Sequence, residues 1–254
     1  YATGPLARSA TGDDRAADGL IDGAERFLDA VGSNGAGTPM ALNRSAAVVS
    51  EDLTVPAALP AGQTCATQPL VASCLSEGTH HLYLHSHDDL GLWGPVLDVP
   101  FRVDRTGPAV DAASVTPNPS NGLLSPPGDS GYLRVSALIT DRDSLSGALQ
   151  GKVVRAEGFF APSSTNPAPG SGFALLPVDG TLDSTSENVY GLIPLSQVRV
   201  KANGTYQVLV RGKDDAGNWG ALFAVSLVID KTAPTLGALT ASPNPTAGAA
   251  NLTL

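Results

Sequence analysis

The chain has 254 residues, room for about two domains, with a formal net charge of −9 and a pI near 4.7. Such a surface repels phosphate backbones and anionic lipid, which argues against a nucleic-acid partner, and no apolar run reaches the ~18 residues of a membrane span. Only 15% of residues are charged while 42% are hydrophobic, with 28 Gly and 20 Pro, a turn-rich β-type composition rather than a disordered one.

The sequence begins at Tyr1 with neither Met nor signal peptide, so it is expected to be a processed or excised piece. Ile21 to Leu28 (IDGAERFL) reads as a strand that runs into a Gly-rich loop, Gly32 to Thr38. Ala46 to Val49 and Leu53 to Val55 read as weaker strands. Cys65 and Cys74 stand in one loop and are the only cysteines. Their closeness predicts a local disulfide and an oxidising compartment, two free thiols being the alternative.

Gly78 to Pro119 then recurs, without a gap, as Gly204 to Pro245, 126 positions on. Each copy has two alternating apolar runs joined by a DD-x-G-x-W-G turn, which predicts a β-hairpin. The repeat identifies the faces. Leu97, Val99, Phe101 and Val103 match Phe223, Val225, Leu227 and Ile229 on the core side. Asp98, Pro100, Arg102 and Asp104 share the other side, and Pro100 predicts an edge strand or a bulge. Trp93 and Trp219, just past the turns, are expected to cap the end of each core.

A second unit starts near Ala109. Val110 to Val115 opens it, and Leu133, Val135, Ala137 and Ile139 alternate toward its core. Val153 to Phe160 (VVRAEGFF) matches Ile21 to Leu28, with Glu157 on Glu25. Residues 161–172 form a long polar loop, and Val189 to Val200 and Tyr206 to Val210 continue the sheet. The expected units are 1–108, with incomplete opening strands, then 109–234, and 235–254 as the opening of a third. Joining the ends as NLTL-YAT sets Leu252, Leu254 and Ala2 on the positions of Leu133, Val135 and Ala137. The chain therefore reads as one period of an array cut in mid-strand.

Asp214-Asp215, Gly217-Asn218-Trp219-Gly220, Asp230, Thr232, Pro234 and Pro243-Asn244-Pro245 carry a resemblance to bacterial immunoglobulin-like and fibronectin-III-like tandem repeats of exported surface proteins. Unit one departs from it at Leu92, where unit two has Asn218. The resemblance implies an all-β fold of tandem immunoglobulin-like β-sandwiches joined by short Pro-rich linkers, outside a bacterial cell or on its surface. It does not imply one function, because the family includes stalks, adhesins and accessory modules of exported enzymes.

The histidines, His80, His81, His85 and His87, all lie on one predicted strand. His81, His85 and His87 share a face, as metal ligands would, but their counterparts Gln207, Arg211 and Lys213 read as a solvated face. The acidic turns form a second candidate. Asp13-Asp14 and Asp18 end the opening strand of unit one where Asp141 and Asp143 stand in unit two. Asp88-Asp89 and Asp214-Asp215 lie in the hairpin turns, and Asp104 and Asp230 precede the connectors. Calcium takes oxygen ligands from such clusters, with Asp141, Asp143, Asp214 and Asp215 the expected set. The other reading is that these residues only start and cap turns. Asn43-Arg44-Ser45 and Asn203-Gly204-Thr205 fit the N-glycosylation acceptor.

No GxSxG, HExxH or P-loop occurs, so no catalysis is expected. Three functions fit: a structural spacer of an extracellular filament or stalk, an adhesin or carbohydrate-binding module, or an accessory part of an exported hydrolase. The expected partners are other copies of the chain or adjoining repeats, head to tail, with residues 235–254 completing unit one of the next copy by strand addition.

Overall fold

The computed structural model describes residues 6–15, 19–42, 45–55, 59, 61–66, 71–144, 146–238, 240 and 248. Asp18, the 43–45 acceptor asparagine, both chain ends and Pro243-Asn244-Pro245 lie outside them.

The fold is all-β and antiparallel. In unit one, β1 (Leu6–Asp13) pairs with β4 (Val48–Val55), while β2 (Ile21–Leu28), β3 (Thr38–Met40), β5 (Gly78–Asp88) and β6 (Leu97–Val103) form a sheet of order β3-β2-β5-β6. In unit two, β7 (Ala109–Thr116), β8 (Tyr132–Thr140), β11 (Leu176–Pro177) and β12 (Ser186–Pro194) form a sheet of order β11-β12-β8-β7. Facing it are β9 (Val153–Phe160), β10 (Phe173–Ala174), β13 (Gly204–Asp214) and β14 (Phe223–Ile229), in the order β10-β9-β13-β14.

The alternation of apolar residues builds the core between these two sheets. Leu133, Val135 and Ile139 from β8 meet Val208 and Val210 from β13 and Leu227 from β14, all fully buried. Burial of each such side chain contributes about 1.5 to 3 kcal/mol. Unit one has a smaller core around Leu75, Leu82, Leu84 and Phe101. Pro100 lies on β6, an edge strand, as expected of a residue without an N–H.

Three readings of the sequence are corrected. Val189 to Val200 is not one strand: β12 ends at Pro194 and a short helix α1 (Leu195–Arg199) follows. Proline cannot donate to the ladder, and the Leu195 N–H turns instead to the Gly131 carbonyl. The segment at 48–55 is one continuous strand rather than two. The face of β5 that holds His85 is not solvated at that point, because His85 is 6% exposed and its counterpart Arg211 is 4% exposed. Each meets a buried glutamate, Glu25 on β2 and Glu157 on β9, that also binds the loop following its own strand.

Those glutamates are a shared device. Glu25 accepts the backbone N–H groups of Gly35 and Gly37 at 2.8 and 2.6 Å. Glu157 accepts those of Gly170 and Gly172, both at 3.0 Å. One carboxylate thereby ties a long loop to the sheet in each unit. The second bridge of unit one is covalent: Cys65 and Cys74 form a disulfide.

The connection between the units is Asp104 to Pro108. It lies flush against the Trp219-Gly220 turn. A methyl at Gly107 would stand 2.3 Å from the Trp219 carbonyl carbon, and one at Gly220 would stand 1.8 Å from the Pro108 oxygen. Pro117-Asn118-Pro119 lies inside unit two. There Asn118 holds β14 through the Val228 N–H and the Ser226 carbonyl, so the motif carries the chain from one sheet to the other.

Candidate functional site: an acidic junction

At the end of unit two that faces unit one, three elements converge. Asp141 follows the last residue of β8, β13 ends at Asp214, and the connector leaves β6 at Asp104. Carboxylate oxygens of these three residues lie within 4.8 Å of one another.

Local hydrogen bonds fix two of the three. Asp214 accepts the Asn218 backbone N–H at 2.7 Å and its side-chain amide at 2.9 Å, which closes the DD-x-G-N-W-G turn. The same amide donates to the Asp104 carbonyl at 3.1 Å and so ties the connector to the turn. Asp104 accepts the Thr106 N–H and pairs with Arg102. Asp141 differs from both. It is 0% exposed, and neither carboxylate oxygen has a hydrogen-bond partner. Burial, then Asp104, Asp214 and Asp215, push its carboxyl up to about 6, with Arg102 opposing. Asp104 is also raised, by burial first and then by Asp214 and Glu77, with Arg102 and the Thr106 N–H opposing. Three carboxylates against one guanidinium leave two negative charges in a site shielded from water.

Of the four residues expected here, Asp141 and Asp214 come together. Asp143 turns away, accepting the Ser146 N–H and hydroxyl. Asp215 is exposed and accepts the Lys152 N–H at 3.3 Å. Asp104 was missed as a member of the group because it arrives from the other unit. The signal was there in the Asp-x-Thr-x-Pro that follows both hairpins.

Unit one has the corresponding half. The Asp14 N–H bonds the Ala47 carbonyl as the Asp141 N–H bonds that of Thr185, and Asp14 Oδ2 is buried without a partner. Asp88 accepts the Leu92 N–H at 2.7 Å, the counterpart of the Asp214–Asn218 bond. Beside it a cavity of about 560 Å³ opens between the sheets, lined among others by Asp14, Ile21, His85, His87 and Trp93.

The histidines do not converge. His80 pairs with Asp29, His81 with Asp98 and His85 with Glu25. His85 and His87 lie 4.5 and 4.7 Å from the Trp93 ring. Among the described residues the only cluster of metal-ligating type is the acidic one.

No protein-family model and no curated protein matches the chain. Among solved structures it is similar to the fibronectin(III)-like modules of CbhA from Clostridium thermocellum, at 13% identity and a TM-score of 0.30, over 89% of this chain and 86% of that one.

Proposed function

We propose that the chain is a non-catalytic structural repeat of an extracellular filament or bacterial cell-surface stalk, assembling head to tail. One contrast carries this reading. In unit two the strand β7 completes a sheet by pairing with β8, and the connector before it packs Pro108 beside Ile139 next to Gly212. In unit one β1, which corresponds to β8, pairs with β4, no described strand lies on its other edge where β7 would stand, and the space corresponding to that beside Pro108 is the cavity beside Trp93.

The segment that fits is in the same sequence. Lys231 to Pro234 repeats Arg105 to Pro108, and Leu236 repeats the buried Val110. Residues 231–238 form no strand in this chain, and Leu236 is 100% exposed. Seating them on unit one of a second copy covers an apolar side chain and the edge of β1, an exposed sheet edge being a template for strand addition. Ala233 stands where the connector has Gly107, so the segment sits slightly farther from Trp93-Gly94 than Gly107 does from Trp219-Gly220. The open side of Gly94, whose nearest neighbour is the Ser86 carbonyl at 3.5 Å, leaves that room. The contact is heterologous and does not close on itself, so it propagates into a fibre. The disulfide suits an oxidising compartment.

Electron microscopy of the purified chain at high concentration tests this. Fibres with an axial repeat of one chain are expected; dispersed single particles at every concentration contradict it. A second reading, a binding module, draws on the same cavity, whose Trp93 and histidines could line a glycan site. Glycan binding lost on Trp93→Ala, in a chain that forms no fibre, would favour it.

A further inference from the structure

We propose that Asp104, Asp141 and Asp214 bind one calcium ion, which locks unit one to unit two. The argument starts from Asp141. A buried carboxylate without a hydrogen bond is costly unless a charge compensates it, and here both oxygens are orphaned at 0% exposure. One Asp141 oxygen lies within 4.8 Å of a carboxylate oxygen of Asp104 and of Asp214. Arg102 engages Asp104, and the remaining two negative charges match a divalent cation.

The donor set selects the ion. All three side chains offer oxygen and none offers sulfur or imidazole, which suits a hard cation. Calcium takes about six to eight oxygens in adaptable geometry, whereas magnesium demands a near-ideal octahedron. Two of these carboxylates are held by turns shaped for other bonds, Asp214 by Asn218 and Asp104 by Thr106, so the adaptable ion fits better.

The site adds an ionic tie to the Asn218 bond and the close Gly107 contact that already hold the connector to unit two. Asp141 and Asp214 belong to opposite sheets of unit two, and Asp104 belongs to the end of unit one. An ion bound by all three fixes the inter-unit angle. Asp230 is the counterpart of Asp104, with the same N–H bond from the residue two further on, and Asp14 with Asp88 is the counterpart of the other half. That second pairing rests on head-to-tail assembly; the Asp104 site does not, because all its ligands lie in one chain.

The test uses the full chain, stripped with EDTA and titrated with calcium chloride by calorimetry, with melting followed in parallel. At concentrations too low for head-to-tail assembly, one calcium per monomer and a rise of several degrees in unit two's transition are expected. Asp141→Asn should lose both responses, yet its metal-free form should melt no lower than the unsubstituted metal-free chain, because an ill-placed charge is gone. Asp104→Asn, on the connector, should also lose the calcium response, and serves if Asp141→Asn does not fold. Asp179→Asn, on an exposed turn, should keep it. No heat and no shift at millimolar calcium, or a response that survives Asp104→Asn, overturns the site. Tighter binding of magnesium chloride overturns the choice of ion.

Discussion

Arg211 donates from Nε to Glu157 at 2.7 Å within unit two, and both side chains are almost wholly buried. The guanidinium also reaches the Pro167 carbonyl and lies 5.1 Å from the Trp219 ring. One ion pair thus joins the sheet, the long polar loop and the end of the core. Removing one partner strands a buried charge, at about 3 to 5 kcal/mol. Arg211→Ala is expected to lower the unfolding free energy of unit two by that much, and Glu157→Gln together with Arg211→Met to cost less, because the amide oxygen still accepts from the loop N–H groups. Double-mutant analysis of urea unfolding checks both.

Unit one has Glu25 and His85 at these positions, 2.6 Å apart. Burial pushes the Glu25 carboxyl up, but the N–H groups of Gly35 and Gly37 and the His85 ring outweigh it and hold the carboxyl below its ordinary value of 4.5. A carboxylate with a lowered folded-state pKa stabilises the fold above the ordinary value, and that contribution is lost as pH falls through the lowered one. Asp29 is also held low: burial opposes, while His80, and then the His81 N–H, prevail. Unit one should therefore lose stability below about pH 4.5. Glu25→Gln should flatten this acid limb, which thermal melts between pH 3 and 6 on either side of about 4.5 would reveal.

Much of the fold was legible because each hairpin combines period-two alternation with a strong turn signal, and because the repeat supplies two readings of the same face. Ile21–Leu28 came out with its observed bounds for that reason. The buried pair at Glu25 and His85 was not legible from alternation, which treats a charged residue as solvated. Matching glutamates in both units, each opposite a basic residue, were the clue. Asp104 escaped grouping with Asp141 and Asp214 because its contact crosses from one unit to the next, and strand periodicity carries no information about that. Helix α1 escaped because five residues are too few for a helical period to stand out from an apolar strand.

The Cys65–Cys74 bridge closes a short loop, with a sequence separation of 9. Chain-entropy arguments give such a loop about 2 to 3 kcal/mol. Reduction should lower the melting transition of unit one and leave that of unit two in place. Differential scanning calorimetry with and without reductant resolves the two, and a shared shift of both transitions would contradict this localisation.

The central claim is that residues from Lys231 onward of one copy complete unit one of the next, and sedimentation velocity of the full chain against Leu236→Asp tests it most directly. Leu236 is fully exposed in the single chain, so the substitution should change monomer stability by no more than about 0.5 kcal/mol. In the assembly it would bury an unpaired charge against the cavity of the neighbouring unit. The unsubstituted chain is predicted to form species that grow with concentration, and Leu236→Asp to sediment as a folded monomer throughout. Identical sedimentation of the two proteins, whether as monomers or as polymers, would contradict the account.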